Sequence, residues 1–424
     1  MQSVKIERTN GNIPRSLAGE DHISGLLFYS SKLPSGFSET NRIQAVSSIE
    51  TAEKLGITSD AETPWDIRVL HYQLREIFNL NPAISLYVGI YKPTSGTPTF
   101  SEIKTMQNYT GGKLRQIGVW DGATALNATN LIALQAIRTT LEAQDKPLSI
   151  GYAPKVAAVG SLPTDLAGAN KCGVSVIIGQ DGAGTAHELY TATDNATSKT
   201  SVSGIGEWLG IVSAAAVHQS IAWVEKFPTG VAVPAFGDGT LLRDLDSAVV
   251  ESLDAARYIF FTSYSGLAGV YFNDSHTMDA PTSDYAYIEN VRTMDKACRN
   301  VRTYVLPKLG RPLKVDASTG KLEAYVVEDL QLTANKALED MEKAGELSGY
   351  KVVIDPNQNV LSTSQVEMVI KQVPVGVMRT SFNTLFVANK PFAILCAADI
   401  CTVLGSAAAV VLFCFAIVVW LNDC

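Results

Sequence analysis

The sequence predicts an α/β and α+β chain of more than one domain, with a mainly α/β body followed by a smaller C-terminal α/β module. Three observations predict it. From about residue 46 to residue 270, segments with apolar residues at helical spacing alternate with short apolar runs, the pattern of helices packed on a mixed or parallel sheet. The 424 residues exceed the roughly 100–200 usual for one domain, so two or three domains are expected. Residues 285–390 carry a second set of helix and strand signals behind the polar loop Thr277–Tyr285.

The first 45 residues alternate short apolar pieces with turn formers: Val4–Ile6, the turn Asn10-Gly11, the strand Gly25–Ser30 and the turn Pro34-Ser35-Gly36. Ser47–Leu55 reads as a short helix with Ser47 as N-cap and Glu50 three residues on, as in a capping box. Trp65–Asn79 sets Ile67, Leu70, Leu74 and Ile77–Phe78 on one stripe, a helix with one buried face. Ile84–Tyr91 is a buried strand stopped by Lys92-Pro93. Phe100–Tyr109 and Asn130–Leu141 are helices; Leu114–Trp120, Leu148–Tyr152, Val156–Val159 and Val174–Ile178 are strands. The alanine-rich helix Ile205–Ala216 is expected to continue through His218–Phe227. Asp244–Ala256 is a helix, and Arg257–Thr262 and Val270–Phe272 are strands. In the module, Tyr285–Pro307 is a long helix, Lys321–Ala334 a strand leading into another element, and Lys351–Ile354 and Gln365–Pro374 strands.

Composition excludes some functions. The 34 basic and 42 acidic residues give −8, and no Lys/Arg run with interleaved aromatics offsets it, which argues against a nucleic-acid groove. The start, MQSVKIERTNGNIP, lacks the apolar core of a secretory signal, and the six cysteines are unevenly placed, so a cytoplasmic origin and free thiols are expected.

Catalytic motifs are sought and mostly not found. Gly179–Gly184 (GQDGAG) follows a strand, as a phosphate loop would, but it lacks both the GK[ST] ending and the GxGxxG spacing, and no strong helix face follows. His187-Glu188 begins HExxH, yet position 191 is Thr191. Ser263-Tyr264-Ser265-Gly266 lacks the first glycine of GxSxG, and His71 reads as a core or boundary histidine. Asp274, Asp279 and Asp284 are explained by a solvated loop. No catalytic residue, cofactor or metal site is predicted. Arg292, Lys296, Arg299 and Arg302 follow at intervals of four, three and three on one helical stripe, which reads either as a solvated face or as an electrostatic docking strip.

Residues 285–392 resemble the C-terminal module of contractile tail sheath proteins, found in phages with contractile tails and in related injection systems. The resemblance rests on the helix YIENVRTMDKACRNVRTYVLPKLGRP, on Thr319-Gly320, and on the helix around LTANKALEDMEKAGELSGY, followed by Val352–Pro356 and the late strands VEMVIKQVPVG and MRTSFNTLFV. The resemblance covers about residues 1–392 and is strongest after 284. It implies a multidomain sheath subunit with extended terminal arms: 1–45 an N-terminal arm and first strands, 46–280 the α/β body, 281–392 the assembly module with a terminal strand arm, and 393–424 an apolar tail. It further implies a structural protein, not an enzyme, which polymerises around an inner tube and contracts to drive it through a target envelope. The partners would be neighbouring sheath subunits, an inner tube protein, and baseplate and terminator proteins. The place would be a virion tail or injection-system sheath, assembled in a bacterial cytoplasm. Val4, Ile6, Phe382, Leu385, Phe386 and Val387 become candidates for strand exchange between subunits. Arg292, Lys296, Arg299 and Arg302 become candidates for contact with the inner tube.

The tail departs from that family. Ile400–Leu421 is 22 residues without a charge, long enough to cross a bilayer, with no Lys or Arg after Pro391 to set a topology. A membrane anchor and a self-associating appendage both fit it. A membrane-anchored scaffold and a phosphate- or nucleotide-binding α/β enzyme are the alternative functions.

Overall fold

The computed structural model describes residues 20–93, 98–168, 171–358, 360–363 and 365–379. Contacts divide the chain into two units, Met1–Val377 and Met378–Cys424, and all elements below belong to the first. The arm candidates Val4, Ile6, Phe382, Leu385, Phe386 and Val387 and the apolar tail lie outside the described residues.

The body is built from β1 (Ile23–Tyr29), β2 (Ile43–Val46), α1 (Ile49–Lys54), α2 (Trp65–Leu80), β3 (Ser85–Tyr91), α3 (Ser101–Tyr109), β4 (Gln116–Ala125), α4 (Ala128–Glu142), β5 (Ser149–Lys155) and β6 (Val174–Ile177). It continues through β7 (Gly179–Asp181), α5 (Gly184–Thr191), α6 (Ile205–Ala214), β8 (Pro234–Phe236), α7 (Ser247–Ala255), β9 (Tyr258–Ile259), β10 (Phe261–Thr262) and β11 (Tyr271–Phe272). The module consists of α8 (Ile288–Val305), α9 (Ala324–Lys343), β12 (Leu347–Val353), the short α10 (Val360–Thr363) and β13 (Val369–Pro374).

Seven strands form one sheet in the order β2-β3-β1-β4-β5-β6-β9, parallel throughout except for β2, which runs antiparallel to β3. The sheet is apolar on both faces because helices cover both. On β1, Leu26 and Phe28 enter one core with α2 and α6, while Leu27 and Tyr29 enter the other with α3 and α4. Helix α6 lies close to the sheet because β4 and β5 present glycines beneath it. A Cβ on Gly118 would stand 2.9 Å from Ile205 Cγ1, and one on Gly151 would stand 2.5 Å from Trp208 Cζ3. On its other side, Gly206 and Gly210 let α6 approach α2 at Gln73 and Leu80.

Several sequence expectations are corrected. The segment expected to begin as a strand at Lys321 is helix α9, whose Val326, Leu330, Ala334, Ala337, Leu338 and Met341 are buried at helical spacing. The N-cap of α1 is Ser48, which accepts from the Thr51 amide, one residue past the expected Ser47. Helix α6 does not run on through His218–Phe227: it ends at Ala215 (ψ 135°), and the carbonyls of Ala215 and Ala216 accept from the Arg292 guanidinium instead of from a further helical turn. Residues 156–158 are not a strand, and the 3-10 turn Val159–Ser161 follows. Arg257–Thr262 splits at Phe260, so that β9 joins the large sheet and β10 pairs with β11. The loop bearing Asp279 is not solvated at that point, since Asp279 is buried and accepts from Ser283 Oγ at 2.7 Å.

Candidate assembly interface

In a sheet of this topology a ligand would sit at the carboxyl ends of the strands, where the connections from β1 and from β4 diverge. Here that position is filled by the chain itself. Phe100 is buried with φ +51°, and its ring meets Tyr29 and Tyr152 edge-on at 6.3 and 5.7 Å. Burial, with the nearby Glu102 for Tyr29 and Asp121 for Tyr152, pushes both phenols far up, and burial also raises the Asp121 carboxyl despite hydrogen bonds from Thr124 and Tyr152. The glycine segment is also occupied. Asp181 accepts from the amides of Ala183, Ala232 and Val233, so its carboxylate stands where a phosphate would need free donors. The peptide after it forms the short helix α5, which buries only Ala186 and Leu189, in keeping with the expected lack of a strong helix face. Among the described residues no group of three His, Cys, Asp or Glu side chains could hold a metal ion.

The charged chemistry collects instead where the module meets the body. Helix α8 turns Ala297 and Val301 toward α9 and β12, while Glu289, Arg292, Asp295 and Lys296 are buried as well. Lys296 Nζ lies 2.7 Å from Asp21 Oδ2 and 2.5 Å from Glu346 Oε1; Arg299 reaches Asp21 at 3.3 Å. Arg138 of α4 grips Asp295 with contacts of 3.1 and 3.2 Å, and Ser275 Oγ donates to Glu289 at 2.6 Å. Burial lowers Arg292 to about 10, offset in part by Asp21, and lowers Arg115, paired with Glu20 at 2.7 Å, to about 10 with help from Arg299. Within the Arg138–Asp295 pair, burial outweighs attraction at Asp295 and raises its carboxyl. At Arg138 burial acts downward, but Asp295, Cys172 and Glu142 together hold the guanidinium above its ordinary range. The enclosed space left among Asp21, Arg115, Arg292, Asp295 and Arg299 is about 10 Å³, room for a single water at most.

The basic stripe is therefore not an exposed docking strip. Arg292 and Lys296 are each 4% exposed, and Arg299 is largely covered. Only Arg302 is half exposed, paired with Asp145 at 2.5 Å. Their carboxylate partners, Asp21, Glu346 and Asp145, went unread in the sequence because no local pattern marks them, as did the neighbouring Arg138–Asp295 pair.

Beyond α8 and α9, β12 and β13 make a two-stranded antiparallel sheet with no third strand among the described residues. Both of its outer edges offer backbone groups to another chain. Among the described residues, no helix is long and apolar enough to cross a membrane.

The sequence matches the DUF2586 N-terminal domain over residues 1–276 and the DUF2586 C-terminal domain over residues 284–390. The chain belongs to the DUF2586 family. A protein of Haemophilus phage HP1, provisionally named a tail sheath protein, is 31% identical over 107 residues, which span 25% of this chain and 27% of that protein. A chain in the six-fold symmetrised baseplate of the anti-feeding prophage superposes with TM-score 0.58 at 13% identity, covering 91% of this chain and 99% of its own. A chain of the contracted PVC sheath complex, an extracellular contractile injection system, gives TM-score 0.57 at 12% identity, covering 92% and 98%. The resemblance to contractile tail sheath proteins read from residues 285–392 is thus borne out, and this chain shares the fold of those two chains.

Proposed function

We propose that this DUF2586 chain is the structural subunit of a contractile tail sheath, which polymerises around an inner tube and contracts to drive the tube through a target envelope. The observation that carries the reading is the extent of the fold match: it takes in nearly the whole of two injection-system chains, body and module together. The open edges of the β12–β13 hairpin support it. They suit strands donated by neighbouring copies, with Val4–Ile6 and Thr380–Ala388 as donors through Val4, Ile6, Phe382, Leu385, Phe386 and Val387. In this reading residues 281–392 are the assembly module and 46–280 the body. The further partners are the inner tube, baseplate and terminator proteins, and the location is a virion tail or injection-system sheath. The filled switch-point crevice and the occupied glycine segment weigh against the phosphate-binding alternative.

Negative-stain electron microscopy tests it on the full chain and on a chain ending at Phe392, with and without a cognate tube protein. Striated tubes or stacked rings are expected. Uniform monomers under every condition would overturn the reading.

A further inference from the structure

We propose that copies of this chain dock head to tail, with the outward face of the β12–β13 hairpin of one copy seated on the acid-rimmed groove at the carboxyl end of the next copy's sheet. The inference rests on the sheath reading and names a contact through which its subunits associate.

The first observation is an opposition of like charges. Lys351 stands directly across from Lys371, flanked in register by Val353 opposite Val369 and Gly349 opposite Val373. Both lysines are exposed, Val369 is 47% and Val373 58% exposed, and neither lysine has a carboxylate partner among the described residues. Like charges directly opposite on one sheet face repel. The hairpin's other face is closed by Leu347 and Val352 packed on α8 and α9, so the lysine face is the one turned away from them. A cationic centre bordered by exposed valines matches a partner with carboxylates around an apolar floor.

The body carries such a surface. An open groove of about 650 Å³ has Leu33, Pro34 and Ile67 as its apolar lining and Asp60 and Glu62 at its rim, both exposed. Its place follows from the topology. Leu33 and Pro34 come just after β1, and Ser30, at the end of that strand, hydrogen-bonds Asp66 at the start of α2. Asp21, which anchors α8, comes just before β1. The seven-residue strand between them spans roughly 23 Å. Module and groove thus lie at opposite ends of the sheet, and a contact between them joins two different surfaces. Such a heterologous contact propagates as a ring or an open helix instead of closing a pair. It uses the hairpin's face and leaves its edges free for donated strands.

The experiment measures the assembly threshold of the full chain by sedimentation velocity and electron microscopy. It compares the wild type with Lys351→Glu/Lys371→Glu, with Asp60→Lys/Glu62→Lys, and with the four changes combined. Each reversal is expected to raise the threshold by more than about tenfold, because like charges would then face one another across the contact, and the combination to restore it. Lys351→Gln/Lys371→Gln relieves the cross-strand repulsion, so its thermal midpoint should hold or rise while assembly weakens. Reversal or neutral variants that assemble as the wild type does would overturn the proposal. So would a four-fold variant that keeps its fold by circular dichroism and stays dissociated. A wild-type chain that never assembles would instead overturn the sheath reading.

Discussion

Helices α6 and α8 are both packed against the same body, and they are held there by opposite means. Helix α6 is buried on all sides by apolar contacts, with Ile205 and Trp208 over glycines of the sheet and Glu207 as its one ionisable residue. Helix α8 sends Ile288 into the body's core but also buries Glu289, Arg292, Asp295 and Lys296, and the cores of body and module are separate clusters on either side of it. An apolar contact loses stability in proportion to the area and volume disturbed. A buried ionic contact adds little net stability when complete and costs much when one partner is removed. The body is thus fixed by packing, and the module by matching.

The sharpest way to break this contrast is Lys296→Ala, which leaves Asp21 and Glu346 without their shared cation. It is expected to cost about 3–5 kcal/mol in urea unfolding. Next is the one ionisable group of α6. Burial raises Glu207 to about 7 against an ordinary 4.5, with Glu76 adding to the shift and the Tyr72 hydroxyl, at 2.6 Å, opposing it. The folded state therefore holds a proton that the unfolded state releases. The stability from this group is full below pH 4.5 and is lost as pH rises through about 7, an effect of about 3 kcal/mol. Glu207→Gln should flatten that slope in denaturation measured from pH 5 to pH 8; an unchanged slope would place its origin elsewhere. Gly151→Ala drives a methyl into Trp208 and should cost about 1–3 kcal/mol, read from the thermal midpoint. Smallest is Arg302→Ala, on α8 but half exposed. It should cost about 0–1 kcal/mol, so a loss equal to that of Lys296→Ala would erase the distinction between buried and rim charges.

The body was largely legible because its strands are continuous apolar runs, and ISLYVGIY and VSVII read as buried strands without reference to anything distant. Helix α9 was less so: Tyr325, Val326 and Val327 favour a strand locally, and only the spacing from Val326 to Met341 betrays the helix. The basic stripe on α8 was seen but its burial was not. A charge looks solvated in sequence until its partner is known, and the partners lie far off: Asp21 is 278 residues from Arg299, Arg138 is 157 from Asp295, and Glu346 is 50 from Lys296. The Ala216 carbonyl that Arg292 engages lies where the sequence expected the helix to continue.

The distance between Asp21 and α8 also bears on how the chain is made. The body leaves the ribosome first and can close its sheet before α8 has been synthesised. Until then Asp21 and Arg138 lack their α8 partners Lys296, Arg299 and Asp295, and the seat where the module will dock presents these charges to water beside the smaller apolar patch that Ile288 later covers. Had this junction been built like the seat of α6, every nascent body would display an adhesive patch to its neighbours on the polysome. A joint made largely of charges leaves the unfinished chain less to adhere with.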